Sequence, residues 1–132
     1  MFGVRTLSRA VSTSIARRSP VHDLLESDVF VYTAVNESIN GGAHDTITGF
    51  LAGGAVNDVM DFLAINPKLH VEGALTGGAK VAADSIAWVY SGTNAFVYVN
   101  DTSSALATSS GSLMEITLAG VQHGLSASNF KA

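Results

Sequence analysis

Short runs in which apolar and polar residues alternate, separated by turns rich in glycine, asparagine and serine, occupy the chain from residue 28 to residue 118. A period of two is typical of strands that bury one face. The clearest runs are 28–32, 85–90, 95–99 and 113–118. The last three are consecutive, and the link 91–94 suits a hairpin, so they predict an antiparallel meander. An all-β fold is therefore expected.

Two further segments are assigned from their residue types. Val56, Val59, Met60 and Leu63 have helical spacing, but 57–62 also alternates, and we favour a strand or a short extended segment. Residues 102–112 consist largely of serine, threonine, alanine and glycine and predict a loop. The expected core consists of Phe30, Ile47, Phe50, Ile86, Trp88, Phe96, Tyr98, Met114, Ile116 and Leu118.

Composition limits the classes of protein to which this chain can belong. It has 132 residues, of which 47% are hydrophobic and 14% charged, which is typical of one folded domain and not of a disordered chain. Polar residues and glycine interrupt every apolar stretch before it reaches the roughly 18 residues of a membrane-spanning helix. The absence of cysteine excludes disulfides, thiol catalysis and cysteine-ligated metals.

Charge divides the chain into two parts. Residues 1–20 carry four arginines and no acid, and are rich in serine. On a helix their apolar residues would share one face, so this segment predicts a basic amphipathic leader, either a transit peptide or a poorly ordered extension that ends at Pro20. Residues 21–132 contain three lysines and all 11 acids, a balance of 3 − 11 = −8. This acidic body argues against nucleic-acid binding, which needs clustered basic residues.

Catalytic motifs are absent from the sequence. The four histidines show no zinc-protease spacing, and neither a nucleophile elbow nor a phosphate-binding loop occurs. His44 and Asp45 are adjacent, but neighbours in a strand point to opposite faces, so an isolated surface histidine is favoured over an acid–base pair. We expect no enzymatic activity from this chain, although a parent protein could carry a metalloprotease.

The segment 41–48, Gly-Gly-Ala-His-Asp-Thr-Ile-Thr, approximates the Gly-Gly-x-Gly-x-Asp-x-apolar repeat of calcium-binding parallel β-rolls, with one residue missing. In such a roll Gly41 and Gly42 would permit the tight turn, and Asp45 would supply an anionic oxygen. Asp28 followed by Phe30 has the same Asp-x-apolar order. An ordinary turn capped by Asp45 is the alternative, because calcium needs six to eight oxygens and one repeat cannot supply them.

Several segments in order resemble the serralysin C-terminal domain and the terminal domains of RTX-type exoproteins. They include Asp28-Val29-Phe30-Val31-Tyr32, Asp45-Thr46-Ile47-Thr48-Gly49-Phe50, Asp58-Val59-Met60-Asp61-Phe62 and Met114-Glu115-Ile116-Thr117-Leu118, and the likeness covers residues 26–132. Gly49 departs from the aspartate that the family often has before Phe50, and the ending Asn129-Phe130-Lys131-Ala132 also departs from its pattern.

The resemblance implies a non-catalytic, calcium-associated terminal module of a secreted protein, related to type I secretion. Its fold would be short, degenerate calcium β-roll rungs leading into an antiparallel sheet or sandwich over 21–132. Asp28 and Asp45 would be metal ligands, with Asp58 and Asp61 as weaker candidates. The alternative is a structural or interaction β domain without ions, placed in a mitochondrion or plastid if residues 1–20 are a transit peptide.

Overall fold

A computed structural model describes residues 29–35, 38, 44–54 and 57–132 in full, and residues 4–8, 14–16, 27 and 28 as backbone only. These residues form ten strands and one short 3-10 helix. The strands are β1 (Val4–Ser8), β2 (Ser14–Ala16), β3 (Ser27–Val31), β4 (Asp45–Thr48), β5 (Val59–Asp61), β6 (His70–Ala74), β7 (Ser85–Ser91), β8 (Asn94–Asn100), β9 (Met114–Ala119) and β10 (Phe130–Lys131). The 3-10 helix, Ala127–Asn129, directly precedes β10.

Two sheets, one parallel and one of mixed orientation, make up the fold, which confirms the all-β prediction. The four-stranded sheet has the order β1-β3-β5-β10, and the six-stranded sheet has the order β2-β4-β9-β8-β7-β6. The strands β7, β8 and β9 pair antiparallel, as the meander predicted. Every neighbouring pair of strands in the four-stranded sheet is parallel. The six-stranded sheet has three parallel pairs, β2–β4, β4–β9 and β6–β7.

From β1 to β5, consecutive strands alternate between the two sheets. The chain then adds β6 and the meander β7 to β9 to the six-stranded sheet and returns to the four-stranded sheet as β10. The segment 57–62 contributes the strand β5, as favoured, and residues 102–112 form a loop with a single bridge between Leu106 and Val81. The described backbone of the leader is extended, so the helical expectation for residues 1–20 is not met there: β1 and β2 pair with β3 and β4.

The main hydrophobic core contains the inward-facing residues of both sheets, and eight of the ten predicted core residues belong to it. The other two, Phe96 and Tyr98, pack in a second cluster with Val81, Ala87 and Leu113. The prediction placed them in the main core, because alternation shows which residues share a face but not which face is inside. On β8 the smaller residues Val97 and Val99 enter the main core instead.

Two segments of the chain run in the same way from the six-stranded sheet to the four-stranded sheet, and they are stacked on each other. In residues 45–61 the chain passes from β4 through a loop to β5, and in residues 116–131 it passes from β9 through a loop to β10; we call these the first rung and the second rung. Register pairs Asp45 with Ile116 in one sheet and Met60 with Phe130 in the other. The two rungs are therefore stacked in parallel, although about half the chain separates them in sequence.

The loops of the two rungs, residues 49–58 and 120–129, also match in detail. Each has left-handed glycines at its first and fifth positions, with φ of 82° and 75° at Gly49 and Gly53 and of 83° and 92° at Gly120 and Gly124. A Cβ atom on Gly53 would lie 3.0 Å from the Cα of Gly124. The two backbones thus approach closely, and this contact requires glycine on both sides.

Candidate functional site

Asp45, the central residue of the predicted calcium turn, is the first residue of β4 and is fully buried. Its Oδ2 atom accepts a hydrogen bond of 3.0 Å from the Tyr32 hydroxyl. Its backbone N–H donates to Oγ of Ser38 over 2.7 Å. The carboxylate therefore points into the molecule, on the same side of the strand as Ile47, which is also fully buried.

Glu115, on β9, contacts both Ser38 and His44, the residues on either side of the segment 39–43. Its backbone N–H donates to the Ser38 carbonyl over 3.0 Å, and its carbonyl accepts a hydrogen bond from the Ser38 hydroxyl. Its Oε1 atom lies 3.5 Å from Nδ1 of His44. His44 was expected to be an isolated surface histidine, but it is partly buried against this carboxylate. The adjacent residues His44 and Asp45 do face opposite sides of the strand, as predicted.

The same Glu115 carboxylate also contacts the second hydrophobic cluster, through a hydrogen bond to the Tyr98 side chain. Burial, the largest cause, acts together with the negative charge of Glu115 and the hydrogen bond to it to raise the pKa of the Tyr98 hydroxyl to about 12. Tyr98 is therefore a neutral partner of Glu115 at physiological pH.

Asp58 immediately precedes β5 and is fully buried. Its Oδ2 atom accepts a 2.9 Å hydrogen bond from the Leu51 N–H, and its own N–H donates to the Leu51 carbonyl over 2.8 Å. Its carbonyl oxygen accepts a 2.9 Å hydrogen bond from Nδ2 of Asn129 in the second rung. Asp58 thus closes the loop of its own rung and receives a bond from the next.

Asp61 is only partly buried, and its Oδ1 atom accepts a hydrogen bond of 3.0 Å from the Leu63 N–H. Its strand neighbours are Val31 and Lys131. The remaining predicted site residues, Gly41, Gly42 and the side chain of Asp28, lie outside the described part of the chain. Among the residues whose side chains are described, the structure has no group of three or more histidine, aspartate or glutamate side chains placed to hold a metal ion.

Three successive strands, β3, β4 and β5, share the order Asp-x-apolar with the apolar residue facing the core. Phe30, Ile47 and Met60 each follow an aspartate by two positions, and all three are fully buried. Phe30 and Met60 are direct partners in the register of β3 and β5, so the backbones of Asp28 and Asp58 are each one residue before the next aligned pair, Val29 and Val59. The backbones of Asp28 and Asp58 are therefore at the same level of the four-stranded sheet, and Asp45 begins a strand of the other sheet.

A shallow groove of about 270 Å³ lies between the loops of the two rungs. It is lined by Phe50, Leu51 and Ala52 from the first loop and by Gly120, Val121, Gln122 and His123 from the second. Leu51 connects this groove to Asp58, because its N–H is the donor to the Asp58 carboxylate. The groove lining combines buried apolar side chains with the exposed side chains of Gln122 and His123.

The pair Ser85 and His70 has the residue types of a hydrolase site but not its geometry. The Ser85 hydroxyl lies 3.0 Å from Nε2 of His70, and it donates to the Ala83 carbonyl over 3.0 Å. The Ser85 side chain is fully buried. A serine whose hydroxyl hydrogen bonds a backbone carbonyl and which is inaccessible to solvent is not arranged as a nucleophile.

One signal in the sequence was missed. Residues 53–60, Gly-Gly-Ala-Val-Asn-Asp-Val-Met, match the Gly-Gly-x-Gly-x-Asp-x-apolar pattern at every position except the third glycine, where valine stands. Aligned in this way, Asp58 and Met60 take the aspartate and the apolar positions.

Comparison with protein-family models and with curated proteins gives no match for this chain. The described residues include no helix long and apolar enough to cross a membrane. Function is therefore argued from the geometry above.

Proposed function

We propose that this chain is a non-catalytic, calcium-associated terminal module of an RTX-type secreted protein, exported with type I secretion machinery. The observation that carries the proposal is the recurrence of Asp-x-apolar units in β3, β4 and β5, which alternate between the two sheets, with the units of β3 and β5 in register. Alternating parallel strands, each introduced by a glycine turn and an aspartate, are the organisation of a roll whose turns bind calcium. The acidic balance of residues 21–132 suits cation binding.

Within this proposal, calcium associates with the turn before β4 and with Asp28 rather than with Asp58 or Asp61. The Asp58 and Asp61 carboxylates accept backbone hydrogen bonds inside their own loops. These two groups do not fit a shared ion in their present positions. Hard anionic and carbonyl oxygens are the ligands that calcium prefers. Asp28 and the backbone carbonyls of the turn 41–45 would supply both kinds, and the Asp45 carboxylate would exchange its bond with the Tyr32 hydroxyl for the ion.

A second candidate function is a structural or interaction β domain that keeps the fold without ions. The buried Asp45 carboxylate favours it, since the Tyr32 hydroxyl already donates to Oδ2. In this case the aspartates would be structural hydrogen-bond acceptors, and the chain would fold in the same way with or without calcium.

Calorimetric titration of the full chain with calcium distinguishes the two. The proposal expects binding heat and a rise in melting temperature with calcium but not with magnesium. Both responses should shrink in Asp28→Ala and Asp45→Ala and persist in the control Asp101→Asn, which changes a partly exposed acid outside the turns. Each variant is compared with itself in chelator, so that a general loss of stability is not mistaken for a loss of binding. Absence of any heat beyond dilution in the unmodified chain would reject calcium and leave the second candidate.

A further inference from the structure

Asn100, the last residue of β8, lies fully buried among backbone carbonyl oxygens. Its side-chain nitrogen Nδ2 is 3.1 Å from the Val81 carbonyl oxygen, 3.1 Å from that of Ala82 and 2.8 Å from that of Ser104. We call these three oxygens the carbonyl cluster. An amide nitrogen carries only two hydrogens, so the three acceptors share them.

The orientation of the Asn100 amide is fixed by its other end. The Oδ1 atom accepts hydrogen bonds from the Thr102 N–H over 2.9 Å and from the Thr102 hydroxyl over 2.7 Å. A backbone N–H can only donate, so the oxygen must face Thr102 and the nitrogen must face the carbonyl cluster.

Carbonyl oxygens that converge in a buried place repel one another unless a positive group lies between them. Calcium binds such oxygens at 2.3–2.6 Å in sets of six to eight, so that neighbouring ligand oxygens are about 3 Å apart. A carboxylate oxygen in the position of Nδ2 would lie 2.8 to 3.1 Å from the three oxygens of the carbonyl cluster, which matches this spacing of neighbouring ligands. We propose that the amide hydrogens of Asn100 supply the positive charge that a bound cation would otherwise supply here, and that the segments carrying the carbonyl cluster are held to β8 without calcium.

The carbonyl cluster joins the parts of the chain that cover the second hydrophobic cluster. Val81 forms a two-way bridge with Leu106, with N···O distances of 2.8 and 2.9 Å, and the Asp84 N–H donates to the Thr102 carbonyl over 3.1 Å. Val81 is fully buried against Tyr98 and its neighbours. The Asn100 amide thus closes the outer face of the six-stranded sheet, and this role is independent of whether calcium binds at Asp45.

The proposal predicts that one substitution converts the amide site into a calcium site. In Asn100→Asp, the new carboxylate would contribute two oxygens, the carbonyl cluster three and the Thr102 hydroxyl one, which reaches the lower limit of six for calcium. Without calcium, the same carboxylate would face three carbonyl oxygens with no positive group between them, and the chain would lose stability.

Urea unfolding of the full chain, followed by Trp88 fluorescence, tests this in chelator and in millimolar calcium or magnesium. Asn100→Asp should have a lower midpoint than the unmodified chain in chelator, and calcium should restore it while magnesium should not. Asn100→Ala should be destabilised equally in all three conditions, because it has no carboxylate. Asn94→Asp is the control, since Asn94 is partly exposed and its Oδ1 accepts the Gly120 N–H.

The quantity compared is the calcium-induced shift in midpoint of Asn100→Asp against that of the unmodified chain. Calcium bound at any other site shifts both midpoints equally and does not affect the comparison. If Asn100→Asp is unfolded in chelator, addition of calcium should refold it, as judged by recovery of the native fluorescence. The proposal is overturned if calcium shifts the Asn100→Asp midpoint no more than that of the unmodified chain, or if this variant is as stable in chelator as the unmodified chain.

Discussion

The side-chain nitrogen of Asn129 lies 2.9 Å from the backbone carbonyl oxygen of Asp58, and this bond joins the loops of the two stacked rungs. Each of the two residues precedes the strand that its rung adds to the four-stranded sheet. Asp58 uses its carboxylate to close its own loop, whereas Asn129 uses its amide to bond the loop beneath it. The second rung therefore depends on the first through a hydrogen bond that an aspartate at position 129 could not donate.

Asn129→Ala should lower the free energy of unfolding by about 1–3 kcal/mol, because it leaves the buried Asp58 carbonyl without this donor and removes the Oδ1 acceptor of the Ser126 N–H. Asn129→Asp should cost more, since a carboxylate would face a carbonyl oxygen. Urea denaturation measures both, with Ser128→Ala as the exposed control in the same turn. Equal stability of Asn129→Ala and the unmodified chain would contradict this role.

Local pattern was sufficient to predict the strands β3, β7, β8 and β9, but it indicated neither β6 and β10 nor the stacking of the strands. The alternation in 85–90, 95–99 and 113–118 depends on neighbouring residues alone, and the meander formed as expected. The parallel pairing of β4 with β9 joins segments about 70 residues apart, and no periodicity within either strand encodes it. Matching glycines in the two loops, at 49 and 53 and at 120 and 124, were the available signal.

The predicted site shows the same limit. Residue type and spacing identified Asp45 as an acid that introduces a strand, and the structure places it there. Its bond to Tyr32 depends on how β3 and β4 face each other across the core, which the sequence pattern does not express. Asn100 was missed for a similar reason, since an asparagine at the end of a strand has no signature until its carbonyl partners are brought together by the fold.

Tyr32→Phe removes the hydroxyl that donates to the buried Asp45 carboxylate and should lower the free energy of unfolding by about 1–3 kcal/mol. A double-mutant cycle with Asp45→Asn isolates the bond from the lost packing of either residue. The coupling should be favourable and comparable to the cost of the single change. A coupling of zero would show that the 3.0 Å contact does not stabilise the chain.

Tyr98 should make the folded chain sensitive to alkaline pH. Tyrosine is charged when deprotonated, and its pKa rises from 10.0 to about 12 in the fold. Below pH 10 both the folded and the unfolded state keep the proton, so stability does not change. Between these two pKa values the unfolded state loses the proton first, and stability falls as the pH rises.

Ultraviolet titration of the unmodified chain and of Tyr98→Phe checks this, because the tyrosine that the variant lacks should ionise near pH 12 in the folded chain and near pH 10 in denaturant. Glu115→Gln removes the neighbouring negative charge and should lower the pKa of Tyr98, although burial, the larger cause, keeps it above the ordinary value. Glu72→Gln, whose carboxylate accepts the Ala82 N–H instead, is the matched control and should leave the titration unchanged. A Tyr98 that titrates near pH 10 in the unmodified folded chain would contradict the burial argument.

Three glycine-to-alanine changes separate backbone strain from the close approach of the two rungs. Gly77 has open space around it and no left-handed conformation, so Gly77→Ala should change the free energy of unfolding by no more than about 0.5 kcal/mol. Gly78 also has open space but a φ of 78°, so Gly78→Ala should cost about 1 kcal/mol for conformation alone.

Gly124 has a φ of 92°, and a Cβ there would lie 3.1 Å from both the Ala52 oxygen and the Gly53 Cα. Gly124→Ala should therefore cost more than Gly78→Ala, because neither backbone can move without separating the rungs. Equal costs for these two variants in urea denaturation would mean that the loops are not in contact, and the stacked arrangement of the rungs would be wrong.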